Sequence, residues 1–179
     1  MAEWRRQYGV AVWACCLMPN HVHLIAVPNE EGSLHLAIGE AHRRYTRMIN
    51  FREGWRGHLW KGRFSSYVMD ERYLLACARY IENNPVRAKL SDRAEGWRWS
   101  SAAAHLWGRD DGLVTVKPML RLVNKTWAEF LSALRFFWIV RLSPKNPVES
   151  RDLCKTPTFA QSLCQTQILI LKILIYSCG

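Results

Sequence analysis

The first long apolar stretch, Val10–Met18, is rich in β-branched and aromatic residues, and a second follows at His21–Val27. Pro19-Asn20 between them is a turn signal, so 10–27 is predicted as a β-hairpin. Side chains two apart on a strand share a face, so His21, His23, Ile25 and Val27 lie on one side and Val22, Leu24 and Ala26 on the other. From Leu34 to about Phe51 the apolar positions Leu34, Ile38, Ala41, Tyr45, Met48 and Ile49 step by four and three, which predicts a helix. Ser65–Met69 reads as a third strand. Asp70 then caps a helix with a Leu74, Ala78 and Ile81 stripe that runs to Asn84, where Pro85 stops it. Shorter helices are predicted at 98–108 and Trp127–Leu134, with a turn at 109–112.

Residues 2–8 read as the tail of a helix that stops at Gly9. Beyond about 134 the patterning changes: 143–167 has no period, and 168–176 is a bare apolar run broken by Lys172. The reading is therefore one α+β domain over 1–134, a small antiparallel sheet carrying the two histidines with helices packed on it. Residues 135–179 are set outside it as a tail. The apolar run is too short to span a bilayer and the N-terminus lacks a signal-peptide core, so no membrane is implied.

Charge adds a partner. The 179 residues carry 25 Lys+Arg against 15 Asp+Glu, a net +10, which favours a polyanion such as nucleic acid. Nine tryptophans among these cations suit unpaired bases, which stack on rings while cations hold phosphates. The same tryptophans also serve to fill a core. Six cysteines without a CxxC pair read as reduced thiols of a cytoplasmic protein.

Two imidazoles on one strand face suit a divalent metal, although a pair is not a complete ligand set and hydrogen-bonded histidines are the plainer reading. Tyr80 and Asn84, four apart in ARYIENNP, fall on one helical face. There a phenol stands beside an amide oxygen able to bind a hard cation. A half-buried ring and a helix terminus before proline explain the same two residues without chemistry.

Five blocks in order, MPNHVH, RRYTRMIN, GHLWKGRFSS, ARYIENNPVRAKL and WRWSSAAAHLWGRDDGLV, resemble the HUH single-tyrosine transposases, in particular the REP-associated branch near the IS200 group. The resemblance covers roughly 5–131. It implies a ferredoxin-like HUH core and a metal-dependent enzyme that nicks and rejoins single-stranded or hairpin DNA. In that reading Tyr80 attacks a phosphate, leaving a 5′-phosphotyrosine and a free 3′-OH. His21, His23 and Asn84 hold Mg2+ or Mn2+. The family carries a strand and most of a helix ahead of the block near Tyr8, so the expectation is a sheet with its first strand missing. A remnant that only binds structured single-stranded DNA is the alternative.

For DNA contact the sequence offers the loop residues Trp60, Lys61, Arg63 and Phe64, with His58, and the helix cations Arg43, Arg44 and Arg47. A loop plugging the edge of the core and a solvated helix face are the competing readings. Tyr45 is read as core, Asp110 and Asp111 as a turn, and His105 as structural.

Overall fold

The computed structural model describes residues 1–62, 64–69, 71–133 and 168–174. After a short helix α1 (Ala2–Gln7), Gly9 takes φ +62°, a left-handed turn that glycine enters without strain, and leads into β1 (Val10–Met18). β1 pairs antiparallel with β2 (His21–Pro28), from Val10 opposite Pro28 to Met18 opposite His21. The predicted hairpin is present. Its register slips at Trp13, between Val12 and Ala14. That extra residue re-aims the strand: Val10 and Val12 face one core with Leu24 and Ala26, whereas Ala14, Cys16 and Met18 join Ile25 in the other.

Helix α2 (Ser33–Glu53) covers the first core through Leu34, Ala37 and Ile38. β3 (Ser65–Val68) follows, then α3 (Glu71–Glu82), which covers the second core through Leu74, Ala78 and Ile81, all fully buried. α4 (Asn84–Arg87), α5 (Ala102–Trp107), α6 (Lys117–Leu120) and α7 (Trp127–Ser132) complete the helices of the described residues, and Met119, Trp127 and Phe130 close the second core. α7 begins with a capping box in which Thr126 and Glu129 satisfy each other's backbone N–H. The 109–112 turn is held by its own carboxylates: Asp111 Oδ1 accepts from Leu113 and Val114 N–H at 2.6 Å, and Asp110 Oδ1 from Val116 N–H at 2.9 Å.

The sheet corrects one expectation. Leu169–Leu174, assigned by the sequence to a tail outside the domain, forms β4, antiparallel to both β2 and β3 in the order β1-β2-β4-β3. A second difference is at Asn83. α3 ends at Glu82, and Pro85 sits in the first turn of α4 instead of after a helix end. Proline is tolerated there because first-turn N–H groups have no intrahelical partner. The predicted N-cap Asp70 lies outside the described residues.

The outer edge of β1 is covered by the 97–101 segment and by Thr115: Leu17 N–H donates to Trp99 C=O at 2.9 Å and Thr115 N–H to Val12 C=O at 2.8 Å. Cys15, Cys16 and Cys77 carry free thiols, and burial pushes that of Cys16 up to about 12. No helix among the described residues is long and apolar enough to cross a membrane.

Candidate functional site

His23 shares its face of β2 with Ile25, and that face is the one α3 covers. The pleat thus points the histidine pair at the helix that carries Tyr80. The His21 and His23 rings meet edge to face with centroids 4.7 Å apart, and the His23 ring meets the Tyr80 ring in the same way at 5.7 Å. Asn84 Nδ2 lies 3.2 Å from His21 Nε2. The structure thus brings together all four residues named from spacing, across 63 positions of chain between His21 and Asn84.

His21 Nδ1 lies 2.6 Å from the side-chain oxygen of Asn20, an acceptor, a contact made by the tautomer with its hydrogen on Nδ1. Nε2 then presents a lone pair toward Asn84. A second group that fixes the tautomer and ring plane is the usual companion of a metal-binding histidine. Rotating the Asn84 amide by half a turn exchanges its nitrogen for its oxygen beside the same imidazole. Two imidazole nitrogens and an amide oxygen form a donor set a divalent cation can use, with open positions for phosphate oxygens and water. No group of three His, Cys, Asp or Glu side chains suited to a metal occurs among the described residues, so the amide is needed for a third ligand.

His23 is 4% exposed and Asn84 8%, whereas His21 and Tyr80 are half-buried. Tyr80 therefore keeps part of its surface open to solvent while His23 and Asn84 are enclosed. The Arg87 guanidinium lies over the Tyr80 ring, 4.6 Å from its centroid. Sequence reading passed over Arg87. No local period could reveal it, because the sequence reading ends the tyrosine helix at Asn84 and Arg87 lies beyond, in α4.

The proposed DNA contacts do not join this cluster. Arg43 pairs with Glu40 at 2.5 Å, and Arg44 lies 3.5 Å from Glu3 and 5.8 Å from the Trp4 ring centroid. Both arginines are exposed, and such surface pairs are weak enough to exchange for phosphate. Trp60 and Phe64 pack against the first core, on the opposite face of the sheet from Tyr80. Trp60 is committed to α2: it stacks on His42 at 3.9 Å and its Nε1–H donates to Thr46 Oγ1 at 2.9 Å. Lys61 and His58 are exposed, and Arg63 lies outside the described residues. Tyr45, read as core, is 43% exposed, because His42 and Thr46 take the inward positions beneath Trp60.

Burial beneath Trp60 lowers the His42 imidazole from 6.5 to about 4. Between those values the unfolded chain takes up a proton that the folded chain refuses, so stability falls as pH drops through this window. The urea midpoint should decline from pH 6.5 toward 4, and His42→Phe, which keeps a ring on Trp60, should flatten that part of the profile.

Residues 1–84 match the family model described as transposase IS200 like. Comparison with curated proteins and with solved structures finds no match.

Proposed function

With residues 1–84 belonging to the IS200-like transposase family, we propose that the chain cleaves and rejoins single-stranded or hairpin DNA, with Tyr80 as nucleophile. The observation that carries this reading is the meeting of Tyr80, His21, His23 and Asn84 at one half-buried face. In the step proposed, the Tyr80 Oη–P bond forms as the P–O3′ bond breaks. The phenol gives up one proton and the departing 3′ oxygen gains one. The phosphodiester energy is kept in a 5′-phosphotyrosine, so a 3′-OH reverses the step without ATP.

His21, His23 and Asn84 would hold Mg2+ or Mn2+. Bound there, the ion would draw charge from the scissile phosphate. The chain's own part is positional. Asn20 holds the His21 ring, the β2 pleat sets the two imidazoles side by side, and α3 presents the phenol beside them. Arg87 adds a positive charge on the solvent side of the ring, suited to an approaching phosphate. Arg43, Arg44 and Lys61 are assigned to grip the strand away from the reacting phosphate.

The test is a labelled single strand containing a hairpin, incubated with the full chain and Mn2+. A protein–DNA adduct stable to detergent is expected, and its absence from a folded preparation rejects the enzyme in favour of a binding module. Replacing His21 and His23 together by alanine should lower adduct formation by on the order of 100-fold or more. Salt-dependent hairpin binding should survive, because phosphate contacts supply it.

A further inference from the structure

Glu82 carries its carboxylate into the interior: it is fully buried, two residues beyond Tyr80 and two before Asn84. A carboxylate in that position needs donors around it, and two segments supply them, α5 with its N-cap Ser101 and α7. Ser101 Oγ–H donates to Oε1 at 2.5 Å, His105 Nδ1–H to the same oxygen at 2.6 Å, and Trp127 Nε1–H to Oε2 at 2.7 Å. His105 also stacks on Trp127, centroids 4.3 Å apart.

The chain of bonds continues to the histidine hairpin. Ser101 Oγ accepts from Cys15 N–H at 3.0 Å, and Ser101 N–H donates to Cys15 C=O at 2.9 Å. Cys15 lies on β1 opposite Leu24, and the next residue, Cys16, lies opposite His23. A single buried polar bridge therefore joins the tyrosine helix to the strand beside the imidazoles. Further contacts bind the same helix end to α7: Asn83 Nδ2–H donates to Leu131 C=O at 3.2 Å, and an Arg79 N–H to Ala133 C=O at 3.4 Å.

We propose that Glu82 is a positioning residue for Tyr80, its carboxylate fixing the phenol relative to the two histidines through Ser101 and Cys15. The proposal rests on Tyr80 as nucleophile, and adds what sets its distance. Apolar packing alone lets a helix slide or rotate on a sheet, whereas a carboxylate holding three donors from two other elements of the fold is fixed more narrowly. Displacing reacting groups by about 1 Å costs on the order of 100-fold in rate.

Glu82→Gln keeps the shape but brings an NH2 against a donor, either Trp127 Nε1–H or the Ser101 and His105 pair. In the full chain it should weaken the NMR cross-relaxation between the His23 and Tyr80 rings at least two-fold. Adduct formation should slow about 10- to 100-fold, with hairpin affinity within two-fold of the parent. Adding Trp127→Phe removes one opposing donor and should restore both the ring contact and the rate. Glu82→Asp, with the charge kept and the arm shortened, should weaken the ring contact even if the glutamine variant fails to fold. Unchanged ring contact in the folded variants, or a slower rate with that contact intact, overturns the proposal. The ring contact is read without DNA, so an inactive parent rejects the nucleophile while the Glu82 result still stands or falls by itself.

Discussion

On the proposed reading, Tyr80→Phe should eliminate the covalent adduct while the protein still folds and still holds the hairpin. The phenyl ring keeps the edge-to-face contact with His23 and the cation above it, since neither needs the hydroxyl. What is lost is the only atom proposed to bond to phosphorus. The loss should therefore be complete within detection, whereas removal of a ligand or a positioning group leaves a slowed reaction. The measurement is a detergent gel of labelled hairpin DNA with Mn2+, beside a titration of binding at two salt concentrations. An undiminished adduct would move the nucleophile elsewhere; exposed Tyr45 and Tyr73 are the first residues to replace next.

The second large effect is on the sheet. Leu171 lies opposite Leu24 of β2 on one side and Ser66 of β3 on the other. Leu171→Pro removes a ladder N–H from an interior strand and leaves a carbonyl without its donor, at a cost on the order of 3 kcal/mol. Ile173→Ala, at a position 3% exposed in the first core, should cost about 2–5 kcal/mol. Either is a large part of the 5–15 kcal/mol by which domains of this kind are stable. Urea unfolding followed by tryptophan emission should show midpoints well below the parent, with adduct formation falling in parallel. A midpoint unmoved by Leu171→Pro would mean that 169–174 is not part of the sheet.

The parts legible in the sequence were those set by near neighbours. The hairpin was legible because Pro19-Asn20 separates two apolar stretches, and its pleat alone sets His21 and His23 side by side. The Leu74, Ala78 and Ile81 stripe was legible because a helix repeats its buried face every three or four residues. Three features resisted. Tyr45 fits an apolar period, yet the inward positions belong to the polar Thr46 and His42, which only a loop tryptophan many residues away makes favourable. Pro85 marks a stop and also a start, and sequence cannot tell which without the contacts beyond it. The Glu82 bridge joins residues 19, 23 and 45 positions apart, and no local period carries such a pairing.

β4 was set aside for the same reason: an apolar run shows neither which strands it will pair with nor where in the sheet it will sit. Its place has a consequence during synthesis. β2 and β3 have no direct ladder between them, and the strand that joins them is the last described stretch of the chain. While a ribosome is still making residues 134–167, the hairpin and the tyrosine helix are already outside, but the sheet cannot close. The hairpin that carries His21 and His23 thus gains its second neighbouring strand only after residues 169–174 have been made.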